Sequence, residues 1–183
     1  MPIYALGDRE PTIHPSAYVH PDAVVIGDVV LGEQSSLWPG AVLRGDGGGI
    51  VIGARTSIQD NCVLHTTPIF PTVVGDDCVI GHLVHLEGCT IERLCLIGNA
   101  SVLMHRVVVH TGSIVAANAT LLDGTVVPSP AAETEHSAGR VSRMRLFHGI
   151  TLAEIEPVVR RCQLKRFAAG EVILNEGARN DAI

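Results

Sequence analysis

IHPSAY VHPDAV VIGDVV LGEQSS LWPGAV L, residues 13–43, places an aliphatic residue at every sixth position without a gap: Ile13, Val19, Val25, Leu31, Leu37 and Leu43. The phase survives three interruptions. After three extra residues at Gly47-Gly48-Gly49 it resumes at Ile52, Ile58 and Leu64, and after four more around Pro68 to Pro71 it resumes at Val74, Ile80 and Leu86. One unit is then shortened to five, and the run continues through Ile91, Ile97, Leu103, Val109, Val115 and Leu121. Two positions before each anchor the residue is nearly always small, as in Ala17, Ala23, Ser35, Ala41, Thr56, Cys62, Cys78, Cys89, Cys95, Ser101 and Ala119. An extended chain points i and i−2 to the same side, so anchor and small residue share one interior. Gly, Asp, Asn or Pro commonly follows the anchor and marks a turn. A six-residue strand and turn cannot bury its own inner face, but three of them closing a triangular coil, stacked on further coils, bury a continuous aliphatic column. The eighteen anchors predict an all-β solenoid of about six coils.

Composition agrees. The 183 residues are 46% hydrophobic but only 3% aromatic, which suits a narrow column of small and branched aliphatics. With 13 Lys+Arg against 19 Asp+Glu the net charge is −6, and no basic run appears, so no nucleic-acid partner is expected. No long apolar stretch or signal core is present, so the expectation is no membrane contact and a cytoplasmic location. Five Cys without C-x-x-C spacing argue against a disulfide framework, and Cys62, Cys78, Cys89 and Cys95 read as small buried hydrophobes on interior positions.

The repeat also converts into columns on the outside, because residues one coil apart lie about 4.8 Å apart. Just after third-side anchors stand Arg44, His65, Glu87 and Met104; two after second-side anchors stand Asp60, His82 and Asn99, with Gln59 beside them. His82 and Glu87 flank one extended side of roughly 15 Å and cannot share a metal within one chain. A zinc ion needs ligand atoms at about 2.0–2.2 Å. Stacked His65 and Glu87 meet that together, with His82 supplied by a neighbouring molecule. Such a head-to-tail contact closes most simply as a three-fold ring.

Trp38-Pro39-Gly40-Ala41-Val42-Leu43-Arg44-Gly45-Asp46, Ile58-Gln59-Asp60-Asn61-Cys62-Val63-Leu64-His65 and Ile80-Gly81-His82 resemble the γ-class carbonic anhydrases, a hexapeptide-repeat family with a left-handed parallel β-helix. The resemblance runs from about Ile13 to Pro128 and implies a homotrimer. It also implies a divalent metal at subunit interfaces, usually Zn2+ but Fe2+ or Co2+ in some members, and reversible hydration of CO2 to bicarbonate. His65 and His82 match two of the family's three histidine ligands. The third position, five after His82, is Glu87, so two outcomes stand open: Glu87 completes a two-His, one-Glu site, or it pairs with Arg44 and no metal binds. His85 is an alternative third ligand. By resemblance Gln59 positions water or substrate, while Arg44, Asp46 and Asp60 form an ion-pair network supporting the site. No proton shuttle can be assigned. His14, His20, His105, His110, His136 and His148 read as solvated or packing side chains.

The period ends at Pro128, giving three segments: a metal-site β-helix over 1–128, a Ser/Ala/Glu/Pro-rich linker over 129–146, and a C-terminal part over 147–183. Thr151 with Glu154 forms a capping box for a helix whose apolar face is Leu152, Ile155, Val158 and Val159. Leu146-Phe147-His148-Gly149-Ile150-Thr151 together with Phe167 to Gly177 and Asp181 is similar to the opening helix and first strands of a cyclic-nucleotide-binding domain. That family's phosphate-binding cassette is absent, so cyclic-nucleotide binding is not expected. A metal-free trimeric scaffold and a hexapeptide acyltransferase are the competing functional readings of the whole chain.

Overall fold

The six-residue period closes into a parallel β-helix in the computed structural model, which describes residues 2–130 and the strands Cys162–Phe167 and Glu171–Glu176. On the second face Tyr18–Val19, Ser36–Leu37, Ser57–Ile58, Val79–Ile80, Leu96–Ile97 and Ile114–Val115 pair in that order, all parallel. The first and third faces merge into one twelve-stranded sheet, because Val24–Leu31 and Val42–Ile52 run unbroken round the corner between them.

The interruptions in the period become register. On the third face Leu43 stacks on Leu64, Leu64 on Leu86, Leu86 on Leu103 and Leu103 on Leu121. The sequence separations are therefore 21, 22, 17 and 18, so the two insertions bulge outward at a corner and the shortened unit is absorbed in a tighter turn. The column is about seven coils rather than six. Ile3 stacks on Val25 before the first anchor, and Val127 stacks on Val109 after the last. The turn closed by the Leu6–Arg9 bridge breaks the spacing ahead of Ile13 and hides the first of these rungs from a periodicity search.

Leu31, Leu37, Leu43, Ile58, Leu64, Ile80, Leu86, Ile97 and Leu103 are all fully buried in one cluster. At about 1.5–3 kcal/mol for each such side chain, this column dominates the favourable side of folding. Cys62, Cys78, Cys89 and Cys95 are buried free thiols within it. Burial pushes the Cys62 thiol up to about 11 and that of Cys89 up to about 12, which suits inert packing residues.

Beyond residue 130 the described residues are two six-residue strands, paired antiparallel with Cys162 opposite Glu176 and Phe167 opposite Glu171. The helix expected from Thr151, and all but the first two residues of the expected linker, lie outside the described residues. Among the described residues no helix is long and apolar enough to cross a membrane.

Candidate metal centre at the corners

Both polar ladders form. Arg44 stands beside His65 and His65 beside Glu87 at the corner between the third and first faces. At the corner between the second and third faces, Leu83 N–H donates to the Asp60 carbonyl and Ala100 N–H to that of His82, so Asp60, His82 and Asn99 succeed one another. Parallel pairing dictates both columns.

In the first ladder Arg44, His65 and Glu87 each have a polar partner. Arg44 Nη1 donates to Asp46 Oδ2 at 2.7 Å, and Arg9 donates to the Asp46 carbonyl. Asp46 Oδ1 lies 3.0 Å from His65 Nε2, and His65 Nδ1 lies 3.3 Å from Glu87 Oε1. Burial pushes the Asp46 carboxyl up, but the hydrogen bond from His65 and the Arg44 guanidinium outweigh it and hold Asp46 below its ordinary value. Arg44 therefore serves Asp46 and not Glu87, so the pairing of Arg44 with Glu87 that the ladder left open does not occur within one chain.

Glu87 is instead ringed by imidazoles. His85 Nε2 lies 3.2 Å from Oε2, and His105 Nε2 lies 3.4 Å from Oε1, opposite the approach of His65. Burial raises the Glu87 carboxyl, while hydrogen bonds from His85 and His65 and the charges of His65 and His105 more than offset this and leave it lowered. His85 reaches Glu87 because i and i+2 of the strand His85–Glu87 point to the same outer side. That simple alternation was available in the sequence. His105, read there as a packing or solvated side chain, sits beside Gly88 rather than in the ladder, and only the turn after Leu103 brings its ring back to Glu87. His110 faces Glu92 elsewhere; the Thr111 amide and hydroxyl and His110 together lower the Glu92 carboxyl to about 2.

The two insertions build the wall of this corner. A Cβ at Gly48 would lie 2.6 Å from the Thr67 carbonyl oxygen, so the glycine run is what lets the first insertion lie against the second. The second delivers Phe70, whose ring packs on His105 with centroids 5.5 Å apart.

The other ladder is sparer. His82 Nδ1 lies 2.9 Å from Asp60 Oδ2 with nearly half of the His82 side chain exposed, and the His82 amide donates to Asn99 Oδ1 at 3.1 Å. Gln59, half-buried, stands beside Asp60. Asp60 thus belongs to a different corner from Arg44 and Asp46 in a single chain. Among the described residues, no three His, Cys, Asp or Glu side chains of one chain are placed to hold a metal ion.

A family model described as bacterial transferase hexapeptide (six repeats) matches residues 10–45. The solved structure of a hexapeptide transferase family protein from Anaplasma phagocytophilum is 37% identical, with a TM-score of 0.68, over 70% of this chain and 76% of that one. The chain belongs to the hexapeptide-repeat family. It is 41% identical over 128 residues to gamma carbonic anhydrase 1, mitochondrial, of Arabidopsis thaliana, covering 67% of this chain and 46% of that protein. It is 44% identical over 117 residues to the carnitine operon protein CaiE of Escherichia coli, covering 64% of this chain and 60% of that one. The chain thus spans about half the length of such relatives. The comparisons lend no support to the likeness of 147–183 to a cyclic-nucleotide-binding domain.

Proposed function

We propose that the chain assembles as a homotrimer in which the His65–Glu87 pair of one copy faces His82 of the next, holds a divalent metal, and hydrates CO2 reversibly to bicarbonate. One observation carries this reading. His65 is gripped from its far nitrogen by Asp46 and presents the other nitrogen 3.3 Å from Glu87 Oε1. Two ligand atoms each about 2.0–2.2 Å from one tetrahedral ion are about 3.3–3.6 Å apart, so the donor pair fits such an ion. A carboxylate behind a ligand histidine is also the usual way its tautomer and orientation are set.

When bound, a divalent cation there supplies the Lewis acidity that turns water into a nucleophile near neutral pH. Asp46 accepts the His65 Nε2 proton and leaves Nδ1 free to ligate, and Arg44 keeps Asp46 anionic. Asp60 does for His82 what Asp46 does for His65. Gln59 travels with His82 into the interface and orients the reacting molecules through its side-chain amide. Zn2+ suits two imidazoles and one carboxylate, and Fe2+ or Co2+ accept the same donors.

Elemental analysis of the purified oligomer, with its mass from light scattering, tests the reading. About one metal per chain in a trimer, lost on His82→Ala with the trimer intact, is the expected result. The three imidazoles around Glu87 favour a second reading, a metal-free trimeric scaffold in which they satisfy the carboxylate. A trimer that stays metal-free after reconstitution selects it. Acetyl transfer from acetyl-coenzyme A by the purified protein would instead select the acyltransferase reading.

A further inference from the structure

The corner between the third and first faces carries a motif that neither the repeat nor the γ-class resemblance assigns: acids and imidazoles alternate along the axis, as Asp46, His65, Glu87, His105 and Asp123. His65 Nδ1 and His105 Nε2 approach the same carboxylate oxygen, Glu87 Oε1, at 3.3 and 3.4 Å. Each imidazole has a further carboxylate at its far nitrogen. Asp46 lies 3.0 Å from His65 Nε2, and Asp123 lies 3.7 Å from His105 Nδ1.

His105 is held for this purpose. Its ring packs on Phe70, its carbonyl accepts from Gly124 N–H at 2.9 Å, and the next residue's N–H donates to the Gly88 carbonyl at 2.8 Å. Gly88 has φ +61°, and a Cβ there would meet Phe70 Cβ at 2.7 Å and His105 Cδ2 at 2.9 Å, so only glycine leaves room for the ring. His105 Nε2 is buried and has no hydrogen-bond partner; Glu87 Oε1 is within ion-pair distance but off the line a hydrogen bond needs. A buried donor aimed at a carboxylate and left unaligned by it marks a site that is complete only when that carboxylate takes its working position.

We propose that His105 is the positioning residue for Glu87, donating its Nε2 proton to the carboxylate so that an oxygen is presented toward His65 where the family ordinarily has an imidazole. The inference rests on the metal-site reading. A carboxylate rotates about its terminal bond more freely than an imidazole is allowed to move in this corner, so replacing His by Glu at position 87 creates the need for an orienting donor. Phe70, Gly88, His105 and Asp123 supply one.

The test titrates Zn2+ against a competing chelator and records the visible spectrum of the Co2+-loaded trimer for wild type, His105→Leu, His105→Gln and Asp123→Asn. Loss of an orienting partner behind a ligand costs about 10–100-fold in metal affinity. His105→Leu is expected to lose that much and to shift the Co2+ bands with the trimer mass unchanged. His105→Gln, which keeps an N–H donor, returns most of the affinity, and Asp123→Asn gives a smaller loss in the same direction. Wild-type affinity and spectrum in His105→Leu overturn the proposal. Should His105→Leu not fold, the exposed Asp123→Asn decides, and wild-type behaviour there overturns it as well. A wild-type protein that takes up neither metal overturns the metal-site reading and this proposal together, a result distinct from one in which wild type binds and the variants bind equally.

Discussion

The two polar corners arise from one repeat and end very differently. Between the third and first faces, Arg44, Asp46, His65, Glu87, His85 and His105 are packed behind two insertions, and Glu87 alone has three imidazoles within 3.4 Å. Between the second and third faces, His82 has Asp60 and open solvent. Strands Val24–Leu31 and Val42–Ile52 run continuously round the first corner, whereas the second is made by tight turns with Asn61, Leu83 and Ala100 at positive φ, and the two bulged insertions wall off only the first. The head-to-tail ring proposed above would use that asymmetry, each contact joining the His65–Glu87 corner of one copy to the His82 corner of the next.

Removing the central carboxylate should break the contrast most severely. Glu87→Leu removes the hydrogen bonds to His65 and His85 and the ion-pair contact to His105, and is expected to cost about 2–3 kcal/mol in urea unfolding of the metal-free protein. Asp60→Leu at the exposed corner should stay well under that, and equal losses would mean that both corners are merely solvated surface.

Backbone strain gives a second contrast. Gly88→Ala forces a Cβ between Phe70 and His105 at positive φ and should destabilise by about 1–3 kcal/mol. Leu83, next to His82, already holds φ +62° with its side chain exposed, so Leu83→Gly should stabilise a monomeric form by up to about 1 kcal/mol. Equilibrium denaturation measures both, and a gain at Gly88 would refute the packing described for Phe70 and His105.

Acid should weaken the walled corner. Asp46 and Glu87 are lowered in the folded chain, so the stability they carry is present above the ordinary carboxylate range near pH 4 and is lost as pH falls through their folded values. Glu92, at about 2, adds a similar loss between roughly pH 4 and 2. A melting profile between pH 6 and 2 should therefore fall toward acid, and Glu87→Gln combined with Glu92→Gln should flatten it.

The smallest effect is expected from Asp60→Asn. It should change stability by less than about 0.5 kcal/mol, as exposed pairs do, while weakening metal retention in the assembled protein because His82 loses its orienting carboxylate. Metal content and melting temperature, measured on one sample, separate the two.

Much of this was legible from residues alone. The spacing of Leu43, Leu64, Leu86 and Leu103 already implies that Arg44, His65 and Glu87 stack, and Ile58, Ile80 and Ile97 do the same for Asp60, His82 and Asn99. The cysteines were readable as packing residues for the same reason. Ile3 was not, because the turn at Leu6–Arg9 lies ahead of the first regular unit. The approach of His85 to Glu87 was readable from strand alternation, but the convergence of His105 on the same carboxylate depended on a direction that no period encodes.

The amino-acid order by itself determined the column, the coil-to-coil register and hence which residues are vertical neighbours, because every rung of a parallel β-helix repeats one strand spacing and one inward side chain. Tertiary structure decided which of those neighbours touch. Turn conformation, glycine clearance at Gly48 and Gly88, and the path of the two insertions set where a side chain is aimed, and these depend on atoms from several coils packing at once.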